Sequence, residues 1–161
     1  MHAVQITGVS MKRNAFTLVE LIFAIVIIGV LAAVAIPKFK NLKESATVNN
    51  AIKMVKDAES SVPAAAANWS DLENNTTYEL RDILQIQGKN ISYTDNNGAG
   101  DRYDINASAT SGAVATITFN RTNRTLDTRI TCANFVSAVE DSKCFEAVGV
   151  TSGNSDSNIT F

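Results

Sequence analysis

Histidine and cysteine are scarce in this sequence, and their scarcity excludes most enzymatic chemistry. The one histidine, His2, lies in the first residues, and the two cysteines are Cys132 and Cys144. A Ser-His-Asp or Cys-His arrangement needs an imidazole near its nucleophile, and histidine-rich or four-thiolate metal sites need more ligands than these. No glycine-rich phosphate-binding motif is present either. We therefore predict that the protein is not an enzyme.

Basic residues are also too few and too scattered for a nucleic-acid surface. The 161 residues include 14 Lys and Arg against 16 Asp and Glu, for a formal net charge of −2. A nucleic-acid-binding domain carries a basic patch, which this sequence lacks. The length suggests one domain with one appended element.

The longest apolar run, from Phe16 to Ile36, contains a single ionisable residue, Glu20. As a helix this run reaches about 32 Å, enough to cross the roughly 30 Å hydrocarbon core of a bilayer. One interpretation is a secretory signal peptide cleaved after Ala33-Val34-Ala35. A second is a plain membrane anchor, but neither gains anything from a carboxylate inside an apolar segment.

A third interpretation accounts for Glu20. Lys12-Arg13-Asn14-Ala15 followed by Phe16-Thr17-Leu18-Val19-Glu20-Leu21 resembles the N-terminus of type IV prepilins and of type II secretion pseudopilins. The resemblance implies that a prepilin peptidase cleaves between Ala15 and Phe16 and that the new N-terminus at Phe16 is N-methylated. The family usually has glycine before the cut, so Ala15 is a departure that puts the efficiency of cleavage in question.

Cleavage before Phe16 creates an amino group four residues from Glu20. In a bundle of apolar helices this amine needs a counter-ion, which Glu20 can supply to its own chain or to a neighbour. An unpaired buried charge is strongly destabilising, so we expect Glu20 to fix the register of assembly. Residues 1–10 do not fit a short leader; we expect translation to begin at Met11, with a long leader as the alternative.

The helix is expected to continue beyond the apolar run. Pro37 lies at its end, and the resemblance implies that the helix bends there. Apolar residues then recur at spacings of three and four up to Val62, and Pro63 is predicted to end a helix that begins at Phe16. The predicted segments are a leader at 1–15, an anchor and filament core at 16–36, an amphipathic half-helix at 37–62 and a globular head at 63–161.

Alternating apolar residues in the head predict strands. We expect them at Ile91–Thr94, Tyr103–Asn106, Val114–Phe119 and Leu126–Thr131, after a short helix from Tyr78 to Ile86. Short links between consecutive strands indicate an antiparallel sheet. The predicted fold class is α+β: a long N-terminal helix packed on an antiparallel sheet, which is similar to the type IV pilin fold.

Cys132 and Cys144 are expected to form a disulfide, because an even number of cysteines in an exported protein favours one. Type IV pilins commonly hold a C-terminal segment to the sheet in this way, whereas many major pseudopilins lack the bridge. We expect a short helical turn between the two cysteines, and we expect the polar tail from Ser152 either to cover the sheet edge or to be exposed.

Two weaker motifs lie in the head. Asp95, Asn97 and Asp101 place oxygen ligands in a glycine-containing loop, as a calcium site needs, although an Asn-Gly turn explains the same residues. Eight Asn-x-Ser/Thr sequons occur. Asn75, Asn106 and Asn158 also have an acidic residue two positions earlier, the extended form that some bacteria require for glycosylation. Chance occurrence in an Asn- and Thr-rich surface is the alternative.

The sequence therefore predicts a structural subunit of a type IV pilus-like filament. The expected partners are other copies of the chain, minor pilins, the prepilin peptidase and an inner-membrane assembly platform, with no cofactor other than calcium. The precursor is expected in the inner membrane and the assembled form in the periplasm or at the cell surface. A type II secretion pseudopilin is the first alternative, and a membrane-anchored binding domain that does not polymerise is the second.

Overall fold

The computed structural model describes residues 16–161. The leader at 1–15, including Ala15 and the expected start at Met11, lies outside the described residues. The chain divides into two compact units, one that ends at Lys40 and one that comprises Asn41–Phe161. We call the second unit the head.

A single long helix, α1, spans Leu18–Ala67 and continues into a π-helical turn at Asn68–Leu72. The prediction that it ends at Pro63 is wrong. Proline removes only one backbone donor, and the four alanines that follow are the best helix formers. Ala66 is also fully buried, so packing holds this last turn. Pro37 also lies within α1, and the bend expected there stays a prediction.

The head contains one five-stranded antiparallel sheet in the order β1-β2-β3-β4-β5. Its strands are β1 (Ile91–Thr94), β2 (Ala99–Asn106), β3 (Ala113–Asn120), β4 (Thr125–Thr131) and β5 (Asn154–Thr160). Two further helices are α2 (Leu80–Ile83) and α3 (Ala138–Val148), with a 3-10 turn at Cys132–Asn134. This is the predicted α+β class with a long helix and an antiparallel sheet.

Several details of the head differ from the prediction. The strand β2 begins at Ala99, four residues before the predicted Tyr103. The helix expected at Tyr78–Ile86 is only one turn long, because Leu84 is extended and its carbonyl accepts a hydrogen bond from the Tyr103 hydroxyl at 3.0 Å. The polar tail, where no strand was predicted, forms the fifth strand, which pairs with β4 at the edge of the sheet. The segment between the cysteines holds most of an 11-residue helix rather than a short turn.

The core of the head forms between one stripe of α1 and the inner face of the sheet. The helix contributes small residues at spacings of three and four, which are Val48, Ala51, Val55, Ala58, Val62 and Ala66. The sheet contributes larger ones, which are Tyr103, Ile105, Ile117, Phe119, Leu126 and Ile130. Leu42 and Ala46 continue the spacing of apolar residues toward the N-terminus, but both are exposed; the polar Glu44 is buried in their place.

The disulfide expected from the sequence joins Cys132, at the end of β4, to Cys144 in α3. Both cysteines are fully buried. The bridge therefore anchors α3 to the sheet immediately before the chain turns back into β5.

Candidate functional site

The first candidate site is the apolar surface of α1 before Lys40. Large apolar side chains in this part are exposed all round the helix; Phe23, Ile28 and Leu31 are each 64% exposed. Among the described residues, this is the one helix long and apolar enough to cross a membrane, with a mean hydropathy of 2.9 in its most apolar window. Exposed apolar surface on this scale marks a contact with lipid or with another protein.

Glu20 has a local role at the start of α1 that the sequence interpretation missed. The backbone N–H and the hydroxyl of Thr17 donate to Glu20 Oε2 at 3.0 and 2.9 Å, and the N–H of Glu20 donates to Thr17 Oγ1 at 3.2 Å. This is a reciprocal capping box, which satisfies two of the free N–H groups at a helix N-terminus. The Thr-x-x-Glu spacing in the sequence was the signal for it.

The capping box leaves the expected assembly role open. Phe16, the residue expected to carry the new amine, is 86% exposed, and Glu20 is exposed beside it. The negative carboxylate also lies in the first turn of α1, where the helix dipole favours it. Its pairing with the amine of Phe16 in an assembled bundle stays a prediction.

The second candidate site, the calcium loop, has another role in the structure. Asp101 is fully buried, and its carboxylate accepts hydrogen bonds from the N–H groups of Leu80, Asn96 and Gly98 at 3.0, 2.9 and 2.9 Å. Three backbone N–H groups therefore already occupy most of the roughly four lone-pair positions of this carboxylate. Asp101 joins α2 to the turn between β1 and β2.

Asp95 and Asn97 also have contacts within the turn, and calcium binding there stays a prediction. Asp95 Oδ1 accepts from the N–H of Asn97 at 2.8 Å, and its other oxygen lies 3.5 Å from the Arg81 guanidinium. Asn97 and Gly98 both have positive φ, 54° and 73°. The Asn-Gly turn thus accounts for these residues. Within residues 16–161 no group of three or more His, Cys, Asp or Glu side chains is placed to hold a metal ion.

The three extended sequons lie in different surroundings. Asn75 is in the loop before α2, where its Oδ1 accepts from the N–H and the hydroxyl of Thr77 at 2.9 and 3.1 Å. Asn106 ends β2, and its Nδ2 donates to the carbonyl of Asn90 at 3.3 Å. Asn158 is in β5, and its Nδ2 contacts Asp127. Glycosylation at these positions stays a prediction, with Asn75 the acceptor whose amide nitrogen is least engaged.

One partly buried polar contact between α1 and the sheet was not predicted. The hydroxyl of Thr128 donates to Glu59 Oε1 at 2.6 Å, and the other carboxylate oxygen lies 2.8 Å from Lys56 Nζ. Glu59 lies outside the apolar stripe that the sequence predicts for the helix. No local signal in the sequence relates it to Thr128, which lies 69 residues further along the chain.

One of the comparisons with known proteins concerns the same N-terminal region. A family model described as the prokaryotic N-terminal methylation motif matches residues 10–36. A fimbrial protein of Neisseria meningitidis serogroup A is 34% identical over 80 residues, which cover 49% of this chain and 47% of that protein. The type IV major pilin protein PilE of Neisseria gonorrhoeae is 33% identical over 82 residues, which cover 49% and 48%.

The chain thus spans about half the length of the curated relatives it matches. No solved structure matches it significantly. The motif begins before Phe16 and ends with the apolar run, and the fold has the long helix, antiparallel sheet and C-terminal disulfide expected of pilins. The methylation motif, the similarity to the Neisseria proteins and the fold together support the type IV pilin family for this chain.

Proposed function

We propose that this protein is a structural subunit of a type IV pilus-like filament. The observation that carries the proposal is the apolar part of α1: large apolar residues exposed all round, with one carboxylate in the first turn. In the precursor, lipid covers this surface; in the filament, the same part of other copies covers it. The leader at 1–15 is removed and Phe16 is N-methylated before assembly.

Glu20 provides the register of assembly in this proposal. A subunit that docks in register brings the amine of a Phe16 to a Glu20 carboxylate, whereas a misplaced subunit buries both charges alone. Leaving one partner of a buried ion pair unpaired costs about 3–5 kcal/mol. The pair therefore selects the correct axial position even though it adds little net stability.

Cellular partners follow from the same proposal. A prepilin peptidase acts between Ala15 and Phe16, an inner-membrane platform extracts the subunit from the bilayer, and minor pilins join the filament. The similarity is to pilins, including major pilins, which supports a surface pilus over a type II secretion pseudopilin. The precursor belongs to the inner membrane, and the filament extends through the periplasm to the surface.

The test is the Glu20→Ala variant expressed in cells from which the native gene has been deleted. We expect surface filaments, sheared from cells and counted by electron microscopy, to fall at least tenfold, since an unpaired amine at about 3–5 kcal/mol corresponds to more than that factor. Glu146→Ala is the matched control, because Glu146 is an exposed glutamate of α3 in the head. Wild-type filament numbers with Glu20→Ala would contradict the proposal and favour a membrane-anchored binding domain.

Processing is measured on the same samples. N-terminal sequencing of the mature chain is expected to begin at N-methylated Phe16, and Ala15→Leu is expected to stop cleavage because the position before the cut takes a small residue. Ala15→Gly is the companion variant, which should be cleaved at least as fast as the natural chain. A mature N-terminus after Ala35 would instead support a signal peptide.

A further inference from the structure

The turn between β1 and β2 contains the one Asn-Gly step in the sequence, Asn97–Gly98. Both residues have positive φ, a conformation that asparagine and glycine tolerate and that such turns require. Asn97 is exposed, whereas Gly98 is buried. The turn chemistry that builds the hairpin therefore places a labile dipeptide at the surface.

Asn-Gly peptides can rearrange without an enzyme. The backbone nitrogen of glycine loses its proton, attacks the side-chain carbonyl carbon of asparagine and expels ammonia, which gives a five-membered cyclic imide. Water then opens the imide at either carbonyl and leaves an aspartyl or an isoaspartyl residue. The overall reaction consumes one water and releases one ammonia, and it is one reason why asparagine is depleted in heat-resistant proteins. Glycine is the most permissive second residue because it has no side chain to hinder the attack.

In this structure a hydrogen bond to Asp101 restrains the backbone nitrogen of Gly98, which is the attacking atom in this reaction. The N–H of Gly98 donates to Asp101 Oδ1 at 2.9 Å, and Asp101 is fully buried. A hydrogen bond to a carboxylate stabilises the neutral N–H form of the amide by about 1.5–3 kcal/mol. The adjacent negative charge also disfavours the amide anion that the reaction needs. The nitrogen cannot be deprotonated and turned toward the Asn97 side chain while this bond is intact.

Arg121 restrains the carbonyl oxygens of both Asn97 and Gly98. The N–H of Arg121 donates to the Gly98 carbonyl at 2.7 Å, and Arg121 Nη2 donates to the Asn97 carbonyl at 3.1 Å. Arg121 Nη1 also donates to the carbonyl of Tyr78, and the guanidinium lies over the Tyr78 ring at 5.6 Å from its centroid. The arginine that connects β3 to β4 thereby fixes the dihedral angles of the Asn97–Gly98 peptide.

We propose that Asn97–Gly98 is a latent modification site, at which asparagine converts to aspartate and isoaspartate, and that Asp101 and Arg121 suppress the conversion in the folded head. Isoaspartate adds one backbone CH₂ to the turn and a negative charge beside Asp95 and Asp101. The isoaspartyl turn is expected to lose its contacts with Arg121 and Asp101. Because the ammonia is lost to solution, the conversion is irreversible and marks a subunit whose head has opened. This inference does not depend on the filament role.

The test compares the natural full-length chain, in detergent, under folding conditions and in urea at the same mildly alkaline pH. The fraction converted at Asn97 is followed by peptide mass spectrometry, with chromatography to separate the isoaspartyl form. We expect conversion to be about tenfold to a hundredfold slower in the folded chain, the factor that corresponds to about 1.5–3 kcal/mol of protection. Equal rates in the two conditions would overturn the protection, and no conversion in urea would overturn the site.

The variant Arg121→Met separates the contribution of the guanidinium from that of folding. It keeps the aliphatic stem but removes the hydrogen bonds to Asn97 and Tyr78, and we expect it to convert several-fold faster than the natural chain. Arg102→Met is the matched control, since Arg102 lies on the opposite side of β2, where its partner is Asp104. Equal rates in both variants would assign the protection to Asp101 alone and overturn the role of Arg121. If Arg121→Met does not fold, amide hydrogen exchange at Gly98 in the natural chain decides: exchange as fast as in urea would overturn the protection.

Discussion

The two parts of α1 differ in what covers them. Before Lys40 the helix is apolar all round and its large side chains are exposed; Ile28 is 64% exposed. After Asn41 it is amphipathic, and Val48, Val55 and Val62 on its inner stripe are at most 1% exposed. One continuous helix thus contains a surface that the chain itself buries and a surface that it does not.

The difference shows that apolar character alone does not determine burial within a chain. The inner stripe is buried because β2, β3 and β4 present a matching apolar face. The apolar part before Lys40 is more hydrophobic, yet its large side chains are exposed; in the proposed function, lipid or other copies cover them. We therefore expect substitutions after Asn41 to change the stability of the head and those before Lys40 to change assembly instead.

The largest expected effect on the stability of the head is that of Phe119→Ala, for which Phe23→Ala is the comparison. Phe119 is fully buried and lies against the rings of Tyr78 and Phe161, so Phe119→Ala is expected to lower the free energy of unfolding by about 3–5 kcal/mol. Phe23→Ala, at a position that is 64% exposed, is expected to change it by less than about 0.5 kcal/mol while lowering filament yield. Urea unfolding measures the first quantity and electron microscopy the second. A large loss of head stability in Phe23→Ala would remove the distinction between the two parts.

Loss of the disulfide is expected to have the next largest effect on the head. Replacing Cys132 and Cys144, which are 12 positions apart, with serine is expected to lower the free energy of unfolding by about 3 kcal/mol. The bridge restricts the unfolded chain and anchors α3, so reduction of the natural protein should give a loss of similar size. Urea unfolding of the serine variant and of the reduced natural protein measures both losses. An unchanged midpoint in both would show that packing alone holds α3.

Much of this architecture could be predicted from local patterns, and the failures have physical causes. The alternation that predicted β1 at Ile91–Thr94 is correct to the residue. β5 was missed because its inward side chains are Ser155, Ser157 and Ile159, which give almost no apolar signal. That strand forms on the backbone groups that β4 leaves open at the sheet edge, and ion pairing of Arg129 with Asp156 at 2.7 Å supports it.

The candidate site was predictable only in part for a related reason. The motif around Phe16 and Glu20 is a local pattern and could be identified directly. The role of Asp101 could not, because its partner Leu80 lies 21 residues earlier and a carboxylate in a glycine-rich loop suggests a cation equally well. Long-range hydrogen bonds to the backbone leave no periodic trace in a sequence.

The variants Asp101→Asn and Asp95→Asn compare a buried acid with an exposed acid of the same turn. Asp101→Asn places an amide NH₂ where three N–H donors converge, and a buried unsatisfied donor costs about 1–3 kcal/mol. Asp95→Asn, at a side chain that is 43% exposed, is expected to cost less than about 1 kcal/mol. Urea unfolding at neutral pH measures both. Equal losses would mean that Asp101 contributes no more than a surface acid does.

The smallest effect is expected at the contact between Glu59 and Thr128, where α1 meets β4. Burial raises the pKa of the Glu59 carboxyl, but hydrogen bonds from Lys56 and Thr128 outweigh it and hold the pKa below the ordinary 4.5. The unfolded chain therefore binds the proton more readily, so this contribution to stability is present above pH 4.5 and is lost as the pH falls through the lower folded value.

Thr128→Val, which keeps the shape but removes the donor, is expected to lower the free energy of unfolding by about 1 kcal/mol at neutral pH. The loss should shrink in acid, where the natural protein has also lost the carboxylate. Urea unfolding of both proteins at neutral pH and below pH 4.5 measures the difference; a loss that stays constant across this range would assign the effect of Thr128 to packing and not to the charge of Glu59.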